Sequence, residues 1–437
     1  MKKLFADKIH AGELYKQLIE LSKFGAKPGE TYGSRAAGST GDLESAEWMA
    51  KHFEKAGLKV HKEPFRSIVF HERKSHLEVG RQDFPARAFF YSNTTAQEGL
   101  EAEVVQLNYG ETGDYEGIDV KGKIVVIKRD DKEIKENFWD EMLIALENQV
   151  AGLIMVDYSD NIFIPTFETG YFDPDKRLRT YDEDIFPAMV IGKSAGETLS
   201  DLINSGVKIV KMFIDAYFGP GEPVNVHGVW EGSDPALKNE TILIYGHRDT
   251  VGNPGSADNG TGQVCLLALA RALKDEKMKR TVEFISLDHE EQLACLGSKF
   301  YIEQHSDELQ NIKAAFELDM PLGTGMMVIT GGDFRETQIH YPPELVDYSV
   351  RSADELGYFM DKGWAGLGTP DSGRMLKAGI PTVWFWAHMV EDFMHTGEDV
   401  PEKIDVNSMK PFTEVMASMI YELANCEDIS KTVKIHK

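Results

Sequence analysis

Residues 241–250 read TILIYGHRDT, a mostly apolar run, a glycine, and then a histidine and an aspartate two apart. The run has the length and composition of a buried strand, and the glycine marks its end. Such a strand presents an imidazole and a carboxylate together at the edge of a sheet. A lone His-x-Asp carries little weight, so the ends of the neighbouring strands decide how it is read.

From about residue 221 the chain alternates strands and helices. TILIYG is followed by the helix GQVCLLALARALKDE, the strand TVEFISL, the helix GSKFYIEQHS and the strand IKAAFELDM. GIPTVWFWA and a C-terminal helix, KPFTEVMASMIYELANCE, come later. This alternation predicts an α/β fold with a mainly parallel central sheet covered by helices on both faces. In such sheets ligands bind beyond the carboxyl ends of the strands.

Residues 10–65 predict a helix, a glycine-rich loop (PGETYGSRAAGSTGD), a second helix (LESAEWMAKHFEKAG) and a short strand (LKVHKEPF). The loop lacks the Gly-Lys-Ser/Thr ending of a phosphate cradle and is read as a structural turn. Between about 97 and 217 the short β-rich runs EAEVVQLN, GKIVVIKR, AGLIMVDY and FPAMVIGK surround one helical stretch, WDEMLIALENQVA, with no cluster of titratable residues. The expected organisation is a discontinuous chemical unit, residues 1–96 and 218–437, interrupted by a smaller β-rich inserted domain, residues 97–217.

Composition narrows the function classes. With 437 residues, 42% of them hydrophobic, the chain can bury a sizeable core, and two domains are expected. Its 47 basic and 72 acidic residues give a net charge of −25 without a Lys/Arg block, so neither nucleic acid nor an anionic membrane surface is an expected partner. The three cysteines, Cys265, Cys295 and Cys426, argue against a disulfide framework or a cysteine zinc site and suit a reducing compartment. The N-terminus reaches Asp7 and Lys8 before any apolar run, and no stretch of about 18 apolar residues occurs, so neither a signal peptide nor a membrane span is expected. A cytoplasmic location follows as the expectation.

The strand ends carry the chemistry. His247 and Asp249 follow the first strand, Asp258 and Asn259 precede the next helix, Glu290 and Glu291 follow TVEFISL, Asp319 closes IKAAFEL, and His395 lies nine residues beyond Trp386. Carboxylates converging on one edge repel one another unless a cation compensates them. Two histidines with several carboxylates and no thiolate suit Zn²⁺ or a similar divalent ion. With Asp258, Glu291 and Asp319 ionised and both histidines neutral, two divalent ions plus one hydroxide bring the cluster close to neutrality. A dinuclear centre with a bridging carboxylate and ions about 3.5–4 Å apart is therefore favoured over a single metal.

In order, GHRDT, SADNGTG, DHEE with LGS shortly after, ELDM and FMHTGEDVPEKID resemble the successive motifs of the dizinc aminopeptidase family, which includes bacterial leucyl aminopeptidases, glutamate carboxypeptidase and the transferrin receptor. RAAGSTGDLESAEWMAKHFEKAGLKV is similar to the family's N-terminal segment, and the block near 97–217 resembles its protease-associated insert. The resemblance implies a zinc-exopeptidase-like fold in which His247 and Asp319 hold one zinc, Glu291 and His395 the other, and Asp258 bridges them; Co²⁺ or Mn²⁺ could substitute. It also implies that Asp249 orients the His247 ring, that Glu290 is the general base, and that the substrate is a peptide with a free N-terminus.

Three departures from the family pattern stand out. QLACL, between Glu291 and Gly297, is one residue longer than in the common EExGLLGS, which leaves open which glutamate takes which role. Met394 stands where some members have a tyrosine. Arg374 and Met375 replace aromatic or proline residues in TPDSGRMLKAGIP, so Asp371, Arg374 and the strand-end His388 are candidate substrate-lining residues. Trp384, Phe385 and Trp386 are read as core, and His289 as pointing away from Glu290. A carboxypeptidase or dipeptidase with the same metals is the alternative and would need a cationic clamp, for which Arg248 and Arg374 are the candidates. An inactive receptor-like relative is opposed by the presence of all five ligands and Glu290.

Overall fold

A computed structural model describes residues 4–129, 139–164, 186–291, 295–321, 325–334, 337–365, 370–387 and 393–434. Its larger sheet has a parallel centre in which Thr241–His247 lies between Thr281–Leu287 and Ile312–Leu318, with Thr382–Trp386 beyond the latter. Antiparallel neighbours extend both sides: Val224–Trp230 and Lys59–Pro64 on one, Met326–Phe334 and Thr337–His340 on the other. The α/β architecture matches the expectation, and the sheet is mixed because antiparallel strands flank its parallel centre, among them the hairpin of Met326–Phe334 and Thr337–His340.

The helix Thr261–Leu273 is buried at every residue but Arg271, because TGQVCLLALARAL is apolar on all sides. It packs against the sheet and the helix Val406–Asn425, whose Val415, Met416, Met419 and Ile420 are buried in the same core. Each fully buried side chain of this kind contributes about 1.5–3 kcal/mol. At the strand end, a Cβ on Gly246 would sit 2.4 Å from the Leu318 carbonyl oxygen, and one on Gly262 would sit 2.2 Å from it. The two glycines thus let helix and strand ends close on one another beneath the polar residues. None of the described helices is long and apolar enough to cross a membrane.

The second unit is a closed barrel of Ser67–Val79, Gln82–Ala88, Ala188–Ile191, Gly152–Val156, Ile124–Lys128, Leu100–Gln106 and Ile209–Gly221. It has its own core, including Leu77, Ile124, Val125, Leu153, Ala188 and Met212. The expected limits of 97–217 leave out the first two strands. Thirteen-residue Ser67–Val79 pairs along most of its length with Ile209–Gly221, so the barrel cannot close without residues 67–88. Those strands were hard to read because SIVFHERKSHLEV mixes charges with apolar residues on a wall exposed along one face.

Candidate metal centre

The parallel strands deliver the site as the strand-end rule requires. His247 is the last residue of its strand and 1% exposed; its Nε2 lies 3.2 Å from an oxygen of Asp258 and 3.3 Å from one of Asp319. The other Asp258 oxygen lies 3.2 Å from His395 Nε2, which in turn is 3.0 Å from Glu291 Oε2. Asp258 therefore stands between two His-carboxylate pairs, His247 with Asp319 and His395 with Glu291.

Sheet register explains the convergence. His247 is in line with Leu287, so the segment after Leu287 leaves the sheet beside it, and Asp319 follows the last residue of the adjoining strand. The Asp258–Asn259 peptide is cis, and Asn259 ties the turn to the next strand by donating to the Leu318 carbonyl and accepting from the Met320 and Gly262 amides. Among the described residues six non-glycine residues have positive φ, and four of them, His289, Cys295, Met320 and His395, lie in the loops around the cluster. Backbone strain of this kind persists only where surrounding structure over-determines it.

The electrostatics are those of a site with too much negative charge. Burial raises the carboxyls of Glu290 and Asp319, raises Glu291 to about 8 with Asp258 adding to the push, and raises Asp371 to about 7. Burial lowers the imidazoles of His247 and His395, but the facing carboxylates outweigh it and both end well above their ordinary value. The same imidazoles hold Asp258 below the usual carboxylate range against its burial. Glu291 Oε1 and Asp319 Oδ1 are buried with no hydrogen-bond partner among the described residues. Without a cation, the only relief is to bind protons. His247, Asp258 and Glu291 offer atoms mutually within 4.8 Å, so the nitrogen and oxygen donors fit one or more divalent ions.

Asp249 is placed differently from the simplest expectation. Its carboxylate accepts from the backbone amides of both Glu290 and Glu291, at 3.0 and 3.1 Å, while Nδ1 of His247 lies 3.2 Å from the Asp249 carbonyl oxygen and 3.6 Å from its nearer carboxylate oxygen. Asp249 thus braces the acidic pair's backbone as well as facing the imidazole. Glu290 diverges from Glu291: its Oε1 is 3.6 Å from Cys295 Sγ, and among the described contacts it meets neither histidine.

Asp371 is fully buried, accepts from Ser298 Oγ and leaves its other oxygen without a partner. Arg374 is partly buried on the same helix, and its Nε lacks a partner. His388 lies outside the described residues. Arg248 is excluded as a substrate clamp: it is 0% exposed and holds Asp42 at 2.7 Å, Asp288 at 2.9 Å and the Val224 carbonyl. Its position next to His247 is misleading because alternate residues of an extended chain face opposite sides. His289 lies against Ser67 and the Ile68 carbonyl, where the barrel's first strand begins.

Sequence reasoning missed Asp399, which accepts from the amides of Ala257 and Asp258 and so fixes the backbone of the carboxylate that stands between the two histidines. Burial pushes its carboxyl to about 7. Its signal was its place four residues after His395 in the same motif. The barrel also reaches the site, since the Ile164 amide donates to the His395 carbonyl at 2.9 Å and the Phe163 ring lies 5.4 Å from the imidazole.

Residues 225–420 match the model of peptidase family M28. Aminopeptidase YwaD of Bacillus subtilis is 27% identical over 413 residues, covering 93% of this chain and 84% of that protein. Leucine aminopeptidase 2 of Trichophyton rubrum is 26% identical over 289 residues, 66% of this chain, and the matched region spans 54% of that fungal protein. Among solved structures, a zinc aminopeptidase from Bacillus subtilis superposes with a TM-score of 0.75 at 21% identity over 98% of each chain, and an aminopeptidase from Aneurinibacillus sp. strain AM-1 with 0.70 at 23% over 98% and 97%. The segment that carries the converging histidines and carboxylates is thus the part of the chain that matches peptidase family M28.

Proposed function

We propose that this protein is a metal-dependent exopeptidase, an aminopeptidase that removes N-terminal residues from peptides using two zinc ions. The observation that carries this reading is the placement of Asp258 between His247 with Asp319 on one side and His395 with Glu291 on the other. Both sets offer one imidazole and carboxylate oxygens, and the shared residue has one oxygen towards each. Similarity to aminopeptidases over nearly the whole chain supports the same reading.

When bound, the ions held by these residues would lower the pKa of the attacking water and polarise the scissile carbonyl. Glu290, buried but free of the two imidazoles, takes the proton from the attacking water and returns it to the leaving amine. Its raised pKa suits a group that must hold a proton between those steps. Asp249 fixes the Glu290–Glu291 backbone so that one carboxylate ligates while its neighbour faces the nucleophile. Asp371 and Arg374 are read as lining the substrate's path, and the barrel as a protease-associated-like unit that shades it. The three free thiols suit a reducing compartment.

Aminoacyl-p-nitroanilides and short peptides with free N-termini should be hydrolysed after zinc loading, and their N-acetylated forms should not. Equal cleavage of blocked peptides would point to the carboxypeptidase reading. The internal role of Arg248 weakens that alternative by removing one of its two candidate clamps. No hydrolysis by a zinc-loaded protein would leave a binding function.

A further inference from the structure

A second cluster of histidines and glutamates lies elsewhere on the large sheet. His61 and His227 are directly opposite one another on the antiparallel strands Lys59–Pro64 and Val224–Trp230. Glu63 is two residues from His61, and Glu283 two residues from the partner of His227 on the other side. The two-residue period puts all four on one face. His305, at the end of the helix Leu296–Gln304, closes over them. Glu283 sits in the early part of the strand Thr281–Leu287, whereas Glu290 follows its far end, so the two clusters are distinct.

Three imidazoles turn the same atom towards one carboxylate. The Nε2 of His305 lies 2.9 Å and that of His61 3.5 Å from Glu63 Oε1, while the Nε2 of His227 lies 3.2 Å from Glu63 Oε2. His227 is 0% exposed, and among the described residues neither its Nε2 nor Glu63 Oε2 has a hydrogen-bond partner, although they face each other. The other nitrogen, Nδ1, is 2.8 Å from Glu283 Oε1, and Tyr301 donates to the second Glu283 oxygen at 3.5 Å. A carboxylate on the far nitrogen of an imidazole is what fixes a metal-binding histidine. A nitrogen of His61, one of His227 and an oxygen of Glu283 lie within 4.8 Å of one another.

We propose that this cluster is a further divalent-cation site of the zinc class, with His61, His227 and His305 as nitrogen ligands, Glu63 as carboxylate ligand and Glu283 holding His227. Three imidazoles and a carboxylate are a four-donor set for zinc. The charge suits a divalent ion: two glutamates and three neutral imidazoles carry −2, which one such ion cancels. The site is reachable, since the side chains of His61 and His305 are 45% and 23% exposed. His61 stacks on His227 at 4.3 Å, and its exposure leaves room for the rotation that ligation needs.

The test is the zinc content of the full-length protein after metal removal, zinc loading and dialysis, compared with H61A/H305A and with E63Q. Each variant should hold one zinc fewer per chain than the wild type, with peptide hydrolysis within about twofold. Variants that retain the wild-type number would overturn the proposal and leave the proton as the cluster's only cation. If H61A/H305A does not fold, E63Q alone decides. The measurement is a difference between chains with the same residues at the catalytic centre, so it stands whether or not the proposed peptidase mechanism does.

Discussion

Glu290 and Glu291 are neighbours with opposite surroundings. Glu291 meets His395 at 3.0 Å, whereas Glu290 turns towards Cys295, and both backbone amides are held by Asp249. Asp249→Asn weakens that brace and the charge facing His247. Outer partners of metal ligands typically account for about 10–100-fold in affinity or activity. A drop of that size in zinc affinity, measured by competition with a chromophoric chelator, is expected, and unchanged affinity would show that the brace is dispensable. Asp399→Asn should act similarly through Asp258, because it weakens acceptance from the Ala257 and Asp258 amides. The five ligand candidates stood out because His247, Glu291, Asp319 and His395 end or follow strands and Asp258 precedes a helix, a property of local sequence; their roles as ligands came from the resemblance. The orientation of the Asp249 carboxylate was not, since it depends on the path of a loop 41 residues away.

Among the elements, the parallel strands were the easiest to read, since burial on both faces leaves continuous apolar runs such as ILIY and VEFISL. Barrel walls and hairpins were harder: alternating exposure gives Ser67–Val79 the composition of a loop, and its partner lies some 140 residues away in sequence. The barrel nevertheless has a direct link to the centre. Asp157 accepts from the Phe163 amide at 2.8 Å and lies against Arg129, and the next residue, Ile164, holds the carbonyl of His395. His395 has φ of 58°, so it needs such support. Asp157→Ala should loosen the Phe163–Ile164 segment and weaken zinc binding by roughly 10-fold, the size of an outer-partner loss. Calorimetric titration with zinc checks this, and an unaltered constant would separate the barrel from the site.

Across the whole molecule, the excess of buried carboxylates couples folding to pH. In the metal-free chain Glu291 titrates at about 8 and Asp371 and Asp399 at about 7, so the folded state keeps protons that the unfolded chain releases above its ordinary carboxylate values of 4.5 and 3.8. The raised imidazoles of His247 and His395 have the same sign, with stabilisation present at low pH and lost as pH rises through their folded values. Metal-free protein should therefore melt at a lower temperature at pH 8 than at pH 5.5. Zinc should reverse the order by taking the place of the protons. Melting curves in chelator and in zinc across that range check the sign, and a metal-free protein more stable at pH 8 would contradict it.

Whether a histidine–carboxylate centre performs peptide hydrolysis with Glu290 moving the proton is decided by Glu290→Gln. Turnover of an aminoacyl-p-nitroanilide and zinc content are measured on the same samples. A loss of about 10²–10⁴-fold in turnover with the zinc content of the wild type is expected. Turnover within a few-fold of wild type, with the metal in place, would contradict it.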